Sequence, residues 1–169
     1  MRLSLPLLHD AHSHGSLYAA LAGAPDISAL GTEDAVTALR ALPDDGLTLV
    51  TGYRNAEHRI GPGELAALPP ALIVNSSLHG YLATDSALPF LREICPEIGE
   101  HRGDTAWKEA HIPFLFARYT AVAGLDDAKI GSFLSGLEKL GVGSTEDMSV
   151  SAEAYRVIRR SPFRERFVF

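Results

Sequence analysis

The chain has little cysteine, no long apolar run and no excess of positive charge. Its only cysteine, Cys95, has no partner for an intramolecular disulfide, which fits a reducing compartment. The N-terminal apolar segment is broken by Pro6 and charged at Asp10, so neither a secretory signal nor a membrane span is expected. With 15 lysines and arginines against 21 aspartates and glutamates, the net charge of −6 gives no basic face for nucleic acid. These absences predict a cytoplasmic protein that binds neither nucleic acid nor a membrane.

The sequence does contain enough apolar material for a core. Of its 169 residues, 46% are hydrophobic, which predicts a single domain spanning residues 1–169. Short apolar runs alternate with longer segments of helical periodicity, and the predicted strands are Leu3–Leu8, Leu47–Tyr53, Ala71–Ser76, Gly141–Asp147 and Arg166–Phe169. This alternation predicts an α/β fold with a mostly parallel sheet covered by helices, either an open doubly wound sheet or part of a barrel.

Capping residues mark where the helices start. Asp104, Asp126 and Ser151 each precede a segment with apolar residues at helical spacing, so each is a predicted N-cap. Thr32, followed by two acidic residues, predicts another helix start. Pro113 falls inside the segment that follows Asp104 and should kink that helix or split it in two. Together these segments supply the helical half of the α/β pattern.

The apolar ends of the chain favour the partial barrel. The sequence begins almost at once with a core-like strand and stops within another, Phe167–Phe169, with no helix after it. Such a strand leaves an apolar face or an unpaired edge uncovered, and unpaired edges promote association. We therefore expect a second polypeptide, a missing C-terminal half or a second copy of this chain to cover these edges.

The most specific chemical signal is the pair His12 and His14, which lies at the end of the apolar segment Leu5–Gly15. Because strand side chains alternate, Asp10, His12 and His14 are predicted on one side of the backbone at a repeat of about 6.6–6.8 Å. Two imidazoles can then converge on one divalent ion, with zinc favoured, although such an ion needs further ligands. The carboxyl end of a strand is also where α/β barrels place their active sites. His12 and His14 are therefore candidate metal ligands, and Asp10 either orients one imidazole or points inward as a structural residue.

Two other residues are candidates for substrate binding or for support of the metal ligands. His79 follows the Ala71–Ser76 strand, where it either contacts substrate and stabilises developing charge or packs as a structural histidine beneath Tyr81. Asp147 ends another strand and can act on a substrate only by itself, because neighbouring Glu146 points to the opposite face.

Three segments resemble one family. Pro6–His14, reading PLLHDAHSH, resembles the first strand of the amidohydrolase superfamily, whose members carry an Asp-x-His-x-His signature there. The segment HGYLATDSAL, which begins at His79, is similar to the His-x4-Asn-Ser-x-Ala-Leu segment of the branch that contains N-substituted formamide deformylases, although Thr84–Asp85 departs from it. Leu137–Val150, reading LEKLGVGSTEDMSV, is similar to a later strand of that branch, with Asp147 in the place of its aspartate. The matches occur in the order of the family and span most of the chain.

The resemblance implies a metal-dependent hydrolase on a distorted (β/α)8 TIM barrel, in which a divalent ion activates water for attack on an amide or related carbon. His12 and His14 would be its first two ligands. The family's further ligands and its catalytic aspartate come from later strands, and this chain stops before them. The implied function is hydrolysis of C–N bonds other than peptide bonds in a small-molecule substrate, within a partial barrel that is incomplete as this chain alone.

Two alternatives stay open. A catalytically inactive binding or assembly module that retained part of the fold would need no neighbouring polypeptide, whereas the hydrolase needs one that supplies the missing histidines and aspartate. An open flavodoxin-like sheet with an unrelated ligand at its strand ends would make the family matches coincidental.

Overall fold

The computed structural model describes residues 7–169 and shows a mixed α/β chain divided into two compact units. The first unit joins the segment up to Gly23 to Ala123–Phe169, and the second is the continuous segment Ala24–Val122. In chain order the elements are β1 (Leu8–Ser13), α1 (Gly15–Leu21), α2 (Thr32–Arg40), β2 (Thr48–Tyr53), α3 (Pro62–Ala67), β3 (Ala71–Asn75), β4 (Tyr81–Ala83), α4 (Leu88–Ile94), α5 (Pro96–Glu100), α6 (Thr105–Ala110), α7 (Ile112–Ala123), α8 (Asp127–Lys139), β5 (Val142–Asp147), α9 (Ala152–Arg160) and β6 (Phe167–Val168). Short 3₁₀ turns lie at Asp85–Ala87 and Arg164–Arg166.

The first unit contains a parallel sheet in the order β1-β5-β6. Ser13 at the end of β1 lies opposite Asp147 at the end of β5, so the carboxyl ends of these strands meet. The pairing is irregular between Asp10 and Ser13, which is the stretch that contains His12. The core of this unit comes from α1, α8, α9 and β6, with the buried residues Ala19, Ile130, Leu134, Ile158 and Phe167.

The second unit contains a mixed sheet in the order β2-β3-β4. Strand β3 is parallel to β2 and antiparallel to β4, and its residues Ala71–Val74 are buried, as expected of a central strand. Tyr53 at the end of β2 lies opposite Asn75 at the end of β3. Helix α2 packs its apolar face against this sheet, and the core includes Ile27, Val36, Leu39, Val50 and Ile73.

Four of the five predicted strands are confirmed, because β2, β3, β5 and β6 lie within the predicted bounds. Of the first predicted strand, Leu3–Leu8, the part Leu3–Pro6 lies outside the described residues. Leu7 is not in a strand, whereas Leu8 is the first residue of β1, which continues to Ser13 beyond the predicted end. Parallel pairing with β5 as far as Asp147 extends β1 through His12. Strand β4 was not predicted, since it has only three residues and is held by antiparallel pairing with β3.

The predicted helix starts are confirmed. Asp104, Asp126 and Ser151 each accept a hydrogen bond from the backbone N–H three residues later, at 2.9, 2.8 and 3.1 Å. The segment that contains Pro113 is split into α6 and α7, with the proline in the first turn of α7. Thr32 begins α2, but its hydroxyl donates to a carbonyl elsewhere in the unit instead of capping the helix. Local side-chain chemistry therefore set most of these boundaries.

The α/β class with parallel strand pairs is confirmed, whereas the described residues form two small open sheets and no closed barrel. That one domain spans residues 1–169 stays a prediction, because two compact units can belong to one folding domain. Within residues 7–169, no helix is both long enough and apolar enough to cross a membrane.

Candidate metal site

His12 and His14 lie beside each other where β1 turns into α1. Their ring centroids are 6.3 Å apart and the ring planes are inclined at 68°. His12 is exposed within β1, and His14 is half-buried immediately before α1, with φ −117° and ψ 57°. Strand β1 ends at Ser13, so His14 is not part of it. The position of the His14 imidazole is therefore determined by the turn into α1 and not by the alternation of side chains along a strand.

The distance between the two ring centroids can be compared with the distance expected when two imidazoles bind the same ion. Zinc–nitrogen bonds of about 2.0–2.1 Å put an imidazole centroid roughly 3.2 Å from the ion, so two ligands at a tetrahedral angle have centroids roughly 5.2 Å apart. The observed 6.3 Å exceeds this by about 1 Å, which a rotation of the exposed His12 side chain can close. Among the residues that the structure describes, no third His, Cys, Asp or Glu joins them in a group able to hold a metal. The pair fits an ion as two donors and forms part of a site.

Ser149 holds the imidazole of His14. Its hydroxyl oxygen lies 2.8 Å from Nδ1 of that ring, across the junction between β1 and the segment after β5. In metal sites, a partner on one ring nitrogen fixes the tautomer and the orientation of the imidazole and makes it a better ligand. The contact therefore gives His14 the kind of support that a metal-ligating histidine requires.

Asp147 holds the backbone on both sides of this arrangement. The residue is 5% exposed, and its Oδ2 accepts the N–H of Ser16 at 2.7 Å while its Oδ1 accepts the N–H of Ser149 at 3.1 Å. These bonds tie the end of β5 to the first turn of α1, directly after His14. Asp147 is thus a positioning residue for the loop that carries the imidazole, and its predicted contact with substrate stays a prediction.

Asp10 and His9 have local partners on β1 and β5. Oδ1 of Asp10 accepts the N–H of His12 at 3.2 Å, and its predicted hydrogen bond to an imidazole stays a prediction. His9 is also exposed, but its Nδ1 lies 2.8 Å from Oγ of Ser144 and its Nε2 lies 3.9 Å from Oε2 of Glu146. His9 therefore serves as a matched control for the two candidate ligands.

His79 belongs to the second unit, in the turn after β3. Its Nδ1 lies 3.6 Å from Oε2 of Glu109, and its side chain is 46% exposed. It borders a cavity of about 300 Å³ at the carboxyl ends of β2 and β3. The structure therefore brings His12, His14 and Asp147 together in one unit and places His79 in the other.

Sequence reasoning missed Ser149. It follows Asp147 by two residues, and an Asp-x-Ser segment after a strand is a common turn in which the carboxylate accepts a later N–H. That signal predicts the turn, but only the pairing of β1 with β5 brings the hydroxyl to His14.

Comparison with known proteins supports the fold. Neither a protein-family model nor a curated protein matches the chain. A similar solved structure is the crystal structure of an uncharacterized metal-dependent hydrolase from Pyrococcus horikoshii OT3, with a TM-score of 0.58 and 20% sequence identity over 91% of this chain. The match covers 33% of that protein, so this chain spans about a third of its length. The chain therefore has an α/β fold similar to that of part of a metal-dependent hydrolase.

Proposed function

We propose that this chain is part of a metal-dependent hydrolase of the amidohydrolase type, acting on C–N bonds other than peptide bonds in a small molecule. The observation that carries the proposal is the pair His12 and His14, with rings 6.3 Å apart at the carboxyl end of a parallel strand and His14 held by Ser149. The fold similarity and the Asp-x-His-x-His signature support it. A partial (β/α)8 barrel, membership of the formamide deformylase branch and a cytoplasmic location belong to the same proposal.

His12 and His14 are the residues that would hold the ion, and zinc is proposed because imidazole nitrogen is among its preferred ligands. A bound ion of this kind lowers the pKa of water and polarises the scissile carbonyl. The chain itself supplies two imidazole donors, fixes one of them through the Ser149 hydroxyl and holds the surrounding backbone through the buried Asp147 carboxylate. We propose that the remaining ligands and the catalytic acid or base come from another polypeptide or from a further segment of a longer chain.

Asp10 and His79 have supporting roles in this proposal. Asp10 fixes the backbone at His12 through the hydrogen bond to its N–H, so it supports the first ligand from within the strand. His79 is proposed to bind a small molecule within the second unit, because it borders a cavity at the carboxyl ends of two parallel strands there.

The proposal is tested by activity of the natural assembly. The tagged chain is purified with any polypeptide that accompanies it, loaded with zinc or manganese, and assayed for amine release from an N-substituted formamide and for opening of a cyclic amide. We expect hydrolysis of at least one of these substrates, no hydrolysis of a peptide, and loss of activity in the His12→Ala, His14→Ala double variant. An assembly that binds metal through these histidines yet hydrolyses neither substrate would contradict the hydrolase and favour the inactive binding or assembly module.

A further inference from the structure

The cavity in the second unit is placed and sized as a small-molecule site. It lies at the carboxyl ends of the parallel strands β2 and β3, where Tyr53 and Asn75 are register partners and both line it. Ligands of open α/β sheets bind at this edge, and their sites usually have volumes of about 300–1,000 Å³. At about 300 Å³, this cavity suits a small ligand.

A buried cation lines this cavity. Lys108 is 7% exposed, and its Nζ donates hydrogen bonds to the carbonyl oxygens of Tyr81 at 2.9 Å and Arg102 at 2.5 Å. The ammonium lies 4.2 Å from the centroid of the Tyr81 ring, and burial lowers its pKa. Among residues 7–169, no carboxylate forms an ion pair with it. Asp104 acts on this ammonium from beyond ion-pair distance, so a buried charge with no carboxylate in contact would gain from an anion bound in the cavity.

The hydrogen bonds of Lys108 are incomplete, as a comparison with Lys129 shows. An ammonium has three N–H donors, and Nζ of Lys129 lies within 3.2 Å of three carbonyl oxygens, those of Ala20, Ala123 and Gly124. Nζ of Lys108 has two such acceptors within the described part of the chain. The third donor of this buried ammonium therefore has no oxygen acceptor among residues 7–169, and the Tyr81 ring is the contact observed beside it.

Asn75 supplies a second donor of fixed orientation. Its Oδ1 accepts from Oγ of Ser77 and from the N–H of Gly80, both at 3.1 Å, and these two donors determine which side of the amide is oxygen. Its Nδ2 has no acceptor among residues 7–169, and the side chain lines the cavity. The amide thus adds neutral donors to the charged donor of Lys108.

We propose that this cavity binds a small organic monocarboxylate, with the carboxylate on Nζ of Lys108 and Nδ2 of Asn75. Tyr53, Tyr81 and Leu82 also line the cavity, beside the rest of the bound molecule. One cation with one amide suits a monoanion, whereas phosphate sites commonly use several cations or a run of backbone donors. All lining residues belong to the second unit, so this proposal does not depend on the metal site.

The test is a titration of the intact chain with phenylacetate, its neutral isostere phenylacetamide and inorganic phosphate, followed by ¹H–¹⁵N NMR. The Gly80 amide and the side-chain amide of Asn75 report on the cavity. Lys108→Met removes the charge. Asn75→Asp keeps the acceptor for Gly80 but replaces the amide donor by a carboxylate, which repels an anion bound at this point. Lys129→Met is the matched control, since it removes a carbonyl-bound lysine away from this cavity.

We expect saturable shifts with phenylacetate and at least about tenfold weaker binding of phenylacetamide and phosphate. Lys108→Met and Asn75→Asp should each weaken phenylacetate binding at least about tenfold, and Lys129→Met should leave it unchanged. If Lys108→Met does not fold, Asn75→Asp and the neutral isostere decide the question. Absence of saturable shifts in the wild type, equal binding of phenylacetamide, tighter binding of phosphate, or wild-type affinity in the folded variants would each overturn the proposal.

Discussion

At the scale of the residue, the carboxylate of Asp147 links two backbone segments that are distant in the sequence. Each of its oxygens accepts one backbone N–H, from Ser16 and from Ser149, and the group is buried. Charge-assisted bonds of this kind contribute more to stability than neutral ones, and loss of one partner leaves a buried donor unpaired. Asp147 is therefore expected to stabilise the fold as well as the position of His14.

Asp147→Asn tests this role. The amide keeps one acceptor but turns an N–H donor toward the other backbone N–H, so we expect the free energy of unfolding to fall by about 1–3 kcal/mol. Urea denaturation measures this change. Asp10→Asn is the control, since half-exposed Asp10 makes one hydrogen bond of 3.2 Å, and it should stay within about 0.5 kcal/mol of the wild type. Equal effects of the two substitutions would contradict the assignment.

Gly52 is the residue for which any side chain is most unfavourable. It has a φ of +86°, and a Cβ there would contact Oδ1 of Asp26 and lie 2.6 Å from the backbone nitrogen of Ser28. We predict that Gly52→Ala lowers the free energy of unfolding by about 2–4 kcal/mol, through backbone strain and this close contact. Gly46→Ala, where nothing lies within 4 Å, should change little in the same denaturation experiment. A Gly52→Ala protein as stable as Gly46→Ala would show that the chain relaxes around the new methyl group.

At the scale of the element, helix boundaries were predictable and strand positions less so. The capping side chains accept a backbone N–H only three residues later, so the local sequence is enough to predict the helix starts. These capping residues are Asp104, Asp126 and Ser151. The position of β1 depends on pairing with β5, more than 120 residues later, and β4 depends on pairing with β3. These pairings are set by packing of the whole unit, which a local pattern does not contain.

Helix α3 offers an independent test of helix propensity. Gly63 lies within Pro62–Ala67 and is exposed, and a Cβ at this position would have nothing within 4 Å. Gly63→Ala removes the flexibility of glycine in the unfolded chain without a new contact, so we predict a gain of about 0.5–1 kcal/mol in the free energy of unfolding. A thermal or urea unfolding curve measures it. A loss of stability would show that α3 needs the freedom of glycine at this position.

At the scale of the whole molecule, Cys95 links stability to alkaline pH. Burial raises the pKa of its thiol from 9.0 to about 11. The folded state keeps the proton where the unfolded state has lost it, so the stabilisation is complete below pH 9 and is lost as pH rises to about 11. This group should contribute a fall of at most about 2–3 kcal/mol in the free energy of unfolding. Burial also raises the pKa values of Tyr81 and Tyr119, which act in the same direction above pH 10, whereas the lowered pKa of Lys108 opposes them.

Cys95→Ala isolates the thiol. We expect urea unfolding between pH 8 and pH 11 to show a shallower loss of stability in the variant than in the wild type, whatever the variant's stability at neutral pH. The slope is the quantity to compare, because the smaller side chain also leaves a void. Equal slopes would mean that the thiol titrates alike in the folded and unfolded states.

The candidate metal site was predictable only in part. His12 and His14 are close in the sequence, so their proximity in space follows from the chain itself. The hydroxyl that holds His14 comes from a residue 135 positions later, and the alignment of β1 with β5 brings it there. The sequence predicts regular side-chain alternation through Asp10, His12 and His14. The structure differs because the pairing of β1 is irregular between Asp10 and Ser13 and the strand ends before His14.

The most direct test of the central claim is the metal content of the chain purified together with any polypeptide that accompanies it, measured by plasma mass spectrometry after incubation with zinc and removal of unbound ion. We predict that the wild type and His9→Ala both bind zinc. His9 lies on β1 like His12, but its imidazole is held by Ser144 of β5. His12→Ala and His14→Ala should each lose the zinc, because neither imidazole alone suffices, and Ser149→Ala should retain less than the wild type. A metal-free wild type, or equal zinc in all of these proteins, would contradict the claim that His12 and His14 hold an ion.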